Sequence, residues 1–322
     1  MEISLSEAKG MGEKIIKGDC LAESNKIESG GVDLILTDPP YGTIKNSPKN
    51  WTVGNKKDNE WDNAINPKKI YNIANRILRK NGKLILFSQE PYTSQLITKT
   101  IPNLTFNYRM VWLKDSFANH LLANKAPVSY FEDIVVFKKN DPLTEKEFNH
   151  PLREYFAKVM EYIGLSLKQI NDCLGHRKAE HSFYINSTQF SLCTKETYQE
   201  LINKFNINNM QEFKQYNELK EVDKQHKERF ESVFNLPEGK KYKSNVLEYK
   251  KDYDGYHPTQ KPVALLEDLI KTYTNENDLV VDLTAGSGST GVACQNTGRD
   301  YILIEKEDEY YNVILDRLEG ES

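Results

Sequence analysis

The sequence predicts an α/β protein whose sheet is interrupted by a long helical insertion. Three observations predict it. Short β-type runs alternate with amphipathic helical patterns up to about Asn140. From about Thr144 to Lys251 the chain turns polar and helical, rich in Lys, Glu, Asn and Gln. After Tyr256 the alternation of strand and helix returns. The expected domains are a discontinuous one, residues 1–143 with 252–322, and a helical region, residues 144–251.

Each element has a local reason. GVDLILTD, ending at Asp38, reads as a strand leading into a turn. PKKIYNIANRILRK reads as an amphipathic helix stopped at Asn81-Gly82. GKLILFS, YRMVWLK and DIVVFKK read as further strands. In the insertion, LREYFAKVMEYIGLSLKQINDCLGHRKAEHSFY reads as short helices with turns at Gly164 and Gly175, the look of a helix-turn-helix unit. YNELKEVDKQHKERFESVF reads as one long charged helix, with a heptad too poor for a strong dimer seam. PVALLEDLIKTYT is a helix with Pro at its start. DLVVDLTAGSGSTGVACQNTG is strand, glycine-rich turn and helix, and YILIEKEDEYYNVILDRL is a strand running into the last helix.

Composition bounds the function. The chain has 322 residues, 28% charged and 38% hydrophobic, which fits a soluble globular protein with a sizeable core. No run approaches the roughly 20 apolar residues needed to cross a bilayer. The N-terminus, MEISLSEAKGMGEK, has no signal-peptide pattern. Cys20, Cys173, Cys193 and Cys294 are scattered with no CxxC pair, as expected for reduced thiols in the cytoplasm. No clustered His/Cys set implies a metal. A net charge of −4 argues against a blanket nucleic-acid binder but leaves room for a local basic groove. Two lysine-rich segments, KNSPKNWTVGNKK and GKKYKSNVLEYKK, would suit such a groove or simply be solvated loops.

The glycine-rich turn contains G-x-G-x-x-G at Gly286, Gly288 and Gly291, after a strand and before a helix. Glycines there let a ligand approach the backbone. A strand ends at Glu305, near the spacing at which an acid binds ribose hydroxyls. A nicotinamide dinucleotide is the default ligand of this pattern. Two details pull away from it. Asp282 stands directly before the turn, where a carboxylate repels a pyrophosphate and attracts an α-amino group. No second nucleotide-binding half follows. S-adenosylmethionine has a ribose, an amino group and no phosphate, so it suits an acid-flanked turn. A packing turn without a ligand is the remaining reading.

The other motif is TDPPYGT, Thr37 to Thr43. Pro39 and Pro40 give up two backbone donors and fix two φ angles beside the Asp38 carboxylate. The carboxylate and the Pro39 carbonyl offer two acceptors to the two N–H donors of an exocyclic amino group. Pinning both frees the nitrogen lone pair for attack on a methyl sulfonium. Tyr41 offers a face on which a base can stack. A base in a duplex reaches such a pocket only if flipped out. Read alone, Asp-Pro-Pro is a rigid turn with a capping Asp.

Taken together, TDPPYGT, then HPTQKPVALLEDLI (His257 to Ile270), DLTAGSGSTGVAC (Asp282 to Cys294) and IEKEDEYY (Ile304 to Tyr311) resemble the β-group DNA amino-methyltransferases of bacterial and phage type, specific for adenine N6. The resemblance covers both α/β parts. It implies a Rossmann-like, S-adenosylmethionine-dependent methyltransferase sheet in circularly permuted motif order, and a double-stranded DNA substrate. S-adenosylhomocysteine would be the product, and no metal is needed. Asp38, Pro39, Pro40 and Tyr41 become the catalytic residues. Cofactor contacts are implied at Asp19, Cys20, Asp38, Thr259, Gln260, Lys261, Asp282, Leu283, Thr284, Ala285, Gly286, Ser287, Gly288, Ser289, Thr290, Glu305 and Lys306. The family often has Phe and Gly where this chain has Thr284 and Ala285; both are small and the turn glycines remain.

The helical insertion becomes the target-recognition region. Gln169, Asn171, His176, Arg177 and Lys178 are its candidate DNA contacts, and Lys45, Lys49 and Trp51 those of the loop after the catalytic motif. A homodimer and a cognate restriction endonuclease are partners that the resemblance allows. Cytosine N4 methylation shares this architecture, although its enzymes usually resemble SPPY. Cytosine C5 methylation needs a Cys after Pro, and none of the four cysteines follows one. The same motifs leave room for an RNA or protein methyltransferase, an inactive DNA-binding relative or a nicotinamide dehydrogenase.

Overall fold

The computed structural model describes residues 13–42, 64–118, 124–125, 127–140, 150–187, 189–228, 231–252 and 260–318. It divides into two compact units, residues 1–140 with 232–322, and residues 141–231. In chain order the first unit supplies β1 (Lys14–Lys17), α1 (Cys20–Glu23), β2 (Val32–Thr37), α2 (Pro67–Ile77), β3 (Leu78–Ser88), α3 (Tyr92–Thr98), β4 (Leu104–Ala118) and β5 (Ser129–Lys139). The helical unit then supplies α4 (Leu152–Ile163), α5 (Leu167–Leu174), α6 (Lys195–Phe205) and α7 (Tyr216–Glu228). The first unit resumes with β6 (Val246–Glu248), α8 (Val263–Tyr273), β7 (Leu279–Asp282), α9 (Ser289–Thr297), β8 (Asp300–Glu305) and α10 (Asp308–Leu318).

The strands form one eight-stranded sheet in the order β1-β8-β7-β2-β3-β5-β4-β6. Among its described pairings, only those of β5, with β3 and with β4, are antiparallel. The central strands read as unbroken apolar runs because helices cover both faces. Along β2, Ile35 packs with Ile70, Tyr71, Ala74 and Ile77 of α2 in one cluster. Its neighbours Leu34 and Leu36 pack with Leu265, Leu266, Leu269 and Ile270 of α8 in the other. β3 divides the same way, Leu84 and Leu86 to the first cluster, Ile85 and Phe87 to the second.

The structure differs from the sequence reading at several boundaries. The helix expected to run to Lys80 ends at Ile77, because Leu78 already pairs with Val32 of β2. Asn81-Gly82 therefore does not stop a helix; it lies within β3, with Asn81 at φ 62°. The long charged helix ends at Glu228 among the described residues. Beyond it, Phe234 sits against Tyr273, ring centroids 5.9 Å apart, and the Asn235 side chain donates to the Lys271 and Thr274 carbonyls, each at 3.0 Å. Residues 232–251, expected in the helical region, belong to the sheet unit, where β6 adds a parallel edge strand to β4. The strand β1 and the helix α3 were not expected.

The helical unit has its own core, with Phe156, Val159, Ile170, Tyr198, Leu201, Ile207 and Leu219 fully buried or nearly so. Its helices end where the glycines predict: Gly164 and Gly175 adopt left-handed conformations at the C-caps of α4 and α5. Ser166 and Gln169 close a capping box on α5.

Candidate active site

Parallel pairing brings the scattered motifs to one edge. β1, β8, β7 and β2 are consecutive in the sheet, so their carboxyl ends lie side by side. Asp19 and Cys20 follow β1, Glu305 ends β8, the glycine turn follows β7, and Asp38 follows β2. The chain leaves β7 toward β8 on one side, and β2 toward β3 on the other. Between them is the switch point at which open α/β sheets bind ligands.

Asp38 stands in a line of alternating charges. One carboxylate oxygen accepts from the Tyr41 hydroxyl and the other from the Lys261 ammonium. Lys261 Nζ lies 3.2 Å from Glu132 Oε2. The other Glu132 oxygen accepts from Lys114 at 3.1 Å. Burial raises the Asp38 carboxyl above the usual range, and Lys261 works against that rise. Burial alone would lower Lys261, but Asp38 and Glu132 outweigh it and hold the ammonium charged. Burial would likewise raise Glu132, yet Lys261 and Lys114 keep it below the ordinary glutamate range. The Lys261 ammonium also sits 5.2 Å from the centre of the Phe87 ring. Tyr41 packs beside Tyr92 at 5.8 Å, and Pro39 is buried.

The glycine turn is tied to this group through Thr284. Its hydroxyl donates to the Asp38 carbonyl at 3.0 Å and lies 2.7 Å from the Thr37 hydroxyl. Thr284 thus stitches the two motifs together. Asp282 holds the turn from within: its carboxylate accepts from the Thr284 amide at 3.1 Å and the Thr290 hydroxyl at 2.6 Å. Burial pushes its carboxyl up to about 6. Glu305 accepts from the Gly286 and Glu307 amides, each at 2.8 Å, and burial raises its carboxyl. Leu283, Ala285, Ser287 and Ser289 are buried, and Lys306 is exposed.

The three glycines do different work. Gly286 and Gly288 have φ of 54° and 79°, which L side chains rarely adopt. A Cβ on Gly288 would stand 3.2 Å from Ile314 of α10, and one on Gly291 would meet Leu318 at 2.6 Å and Leu303 at 2.8 Å. Gly291 therefore serves helix packing rather than ligand approach. Arg317, which sequence reasoning missed, donates to the Ser287 carbonyl and Ser289 hydroxyl, both at 3.1 Å.

The Asp19 carboxylate caps α1 through the Leu21 amide at 2.9 Å. Burial pushes the Cys20 thiol up to about 12, so it stays protonated and packs as an apolar group. Gln260 has both polar side-chain atoms buried, and neither has a hydrogen-bond partner among the described residues. Lys45, Lys49, Trp51 and Thr259 lie outside the described residues, as do Thr43 and His257 of the motifs.

In the helical unit, Gln169 is engaged in the capping box, its side-chain oxygen accepting from the Ser166 amide at 2.9 Å. His176 pairs with Glu200 at 2.5 Å and Arg177 with Glu180 at 2.6 Å. Asn171 contributes its carbonyl to the Gly175 amide at 2.8 Å, and Lys178 is exposed. Glu132 and Lys114 were also missed, because charges flanking apolar strands look like ordinary solvated ends until the sheet register is known. Among the described residues no helix is long and apolar enough to cross a membrane, and no His/Cys/Asp/Glu group could hold a metal.

Comparison with known proteins agrees with this architecture. The sequence matches the family described as DNA methylase over residues 32–316. The DNA adenine methyltransferase YhdJ of Escherichia coli (strain K12) is 27% identical over 308 residues, covering 95% of this chain and 82% of that protein. The crystal structure of the M1.HpyAVI-SAM complex is similar with a TM-score of 0.53 at 19% identity, over 95% of this chain and 99% of that one. The cytosine-N4-specific PvuII DNA methyltransferase superposes with a TM-score of 0.51 at 15% identity, over 95% of this chain and 86% of its own. At these identities the two solved structures speak for the fold.

Proposed function

This chain belongs to the DNA methylase family, and from that premise we propose that it transfers a methyl group from S-adenosylmethionine to the exocyclic N6 amino group of adenine, at a specific site in double-stranded DNA. The observation that carries the reading is the adjacency of β2 and β7, which sets Asp38 of DPPY against the glycine turn through Thr284. The full-length likeness to a DNA adenine methyltransferase supports adenine as the acceptor.

The residues fit the cofactor. Gln260 presents a buried, unsatisfied amide among the described residues. Asp282 and Glu305 suit a cationic, ribose-bearing molecule without phosphate. Gly286 and Gly288, Asp282 and Glu305 would hold it, with Asp19, Gln260 and the backbone from Leu283 to Ser289. When bound, it supplies an electrophilic methyl group on a sulfonium. Asp38 accepts an N–H of the flipped base's amino group, with the Pro39 carbonyl as second acceptor. Drawing on both hydrogens leaves the nitrogen lone pair free to attack. Tyr41, braced by Tyr92, offers its ring to the base.

The helical unit is proposed to read the recognition site, with Arg177 and Lys178 as exposed basic contacts to the duplex. Lys45, Lys49 and Trp51 of the segment after DPPY are proposed to engage the DNA as well. A second copy of the chain and a cognate restriction endonuclease complete the partners that this reading takes in. The test is incubation of unmethylated plasmid DNA with S-adenosylmethionine, followed by digestion to nucleosides and mass spectrometry. N6-methyldeoxyadenosine is the expected product. N4-methyldeoxycytidine would move the acceptor to cytosine, and no methylated nucleoside on DNA of varied sequence would refute the reading.

A further inference from the structure

We propose that Glu132 is a positioning residue for Asp38, acting through Lys261: it holds the ammonium from a second side, so that Asp38 does not surrender its acceptor oxygens to a single ion pair. The proposal deepens the methyl-transfer reading and rests on it. Its starting point is geometry. The Lys261 ammonium lies between two carboxylates, donating to Asp38 on one side and standing 3.2 Å from Glu132 on the other. Glu132 is in turn held by Lys114 at 3.1 Å. Lys114 and Lys261 side chains are 1% and 7% exposed, so water does little to screen the line.

The four charges alternate and sum to zero. Burying a cation against one carboxylate needs only one partner; here a second anion is brought in from a different strand. The arrangement without Glu132 shows what it does. Lys261 would then turn wholly onto Asp38, tightening that pair. Asp38 would become a weaker acceptor for an incoming amino group. Without Lys261, Asp38 would be a carboxyl in a buried site facing Glu132, and its proton would be held more tightly. Glu132 and Lys261 therefore pull Asp38 in opposite directions. Other charged or titratable groups face the line: Tyr41 on Asp38, Lys251 toward Lys114, and Asp282 from the neighbouring strand.

Two readouts on the full chain test this. The first is the midpoint of the Asp38 carboxyl, followed by carbon-13 NMR across pH without substrate. Glu132→Gln is expected to lower it and Lys261→Met to raise it, each by about one unit, a tenfold change in the ionisation ratio. The second is the single-turnover methylation rate against pH, whose acid limb should move in the same opposed directions. The Glu132→Gln plateau should fall roughly tenfold while cofactor affinity holds. The double variant Lys114→Met/Glu132→Gln keeps the line neutral and should retain the lowered midpoint, which separates charge coupling from a damaged fold. Midpoints that stay put, or that move the same way in both single variants, overturn the proposal. Opposed midpoints in the two variants, together with a wild-type chain that methylates nothing, would sustain the coupling and sink the methyl-transfer reading instead.

Discussion

Burial raises the Asp38 carboxyl, its side chain only 25% exposed, and the neighbouring ammonium of Lys261 opposes that rise. Asp38→Ala is expected to cut methyl transfer by about 10²–10³-fold, the scale for loss of one group aimed at the reacting atoms. Cofactor binding should survive largely intact. Nucleoside mass spectrometry and calorimetry check the two halves, and an active Asp38→Ala would refute the assigned role. Asp282 poses the converse problem. Burial pushes its carboxyl from 3.8 to about 6, so the native state binds a proton more tightly than the unfolded chain. Stability is then fully present below the ordinary value and is lost as pH rises through about 6, by on the order of 2–3 kcal/mol. Asp282→Asn should therefore stabilise the cofactor-free protein at pH 7 and not at pH 4, measured by urea unfolding. The same variant should weaken cofactor binding. Equal effects at both pH values would remove burial of the charge as the cause.

At the scale of elements, the glycine turn is shaped as much by α10 as by any ligand. Gly291 has no room for a side chain between Leu318 and Leu303, and Gly288 lies under Ile314. Gly291→Val is expected to cost about 1–3 kcal/mol of unfolding free energy, the usual penalty of overpacking. Equilibrium denaturation measures it, and an unchanged midpoint would mean that α10 yields freely. Arg317 fastens the same helix to Ser287 and Ser289. On α5 the local signals are complete: a serine start, a glutamine three residues on and a glycine stop. The sequence pattern misplaces the end of α2 because the pairing of Leu78 with Val32 overrides the helical periodicity and the Asn81-Gly82 stop signal.

At the scale of the molecule, the chain builds three apolar clusters, one on each face of the sheet and one among α4 to α7. The helical unit buries Phe156, Val159, Ile170, Leu201 and Leu219 completely among its own residues. A fragment of residues 141–231 is therefore expected to fold alone, with a cooperative thermal transition in far-ultraviolet circular dichroism. A gradual, non-cooperative loss of signal would show that its core needs the sheet unit. The sheet explains how a permuted chain keeps one site. Asp38 and Asp282 are far apart in sequence, yet β2 and β7 pair in register, Leu34 with Val280 and Ile35 with Val281. Motif order along the chain matters less than strand order in the sheet.

The order of amino acids alone was enough for the α/β class, the helical insertion, the glycine caps of α4 and α5, and the two motifs to which the chemistry is assigned. These were legible because each rests on a local constraint: apolar runs, residues that permit a left-handed turn, prolines that remove donors. What surrounds Asp38 was decided only by tertiary structure. Glu132 and Lys114 come from β5 and β4, Lys261 from the segment before α8, and Tyr92 from α3. The edge strand β6 likewise exists through its pairing with β4. The physical reason is that a charge or a short β-type run carries no local mark of its partner. Its meaning depends on which distant strand folding sets beside it.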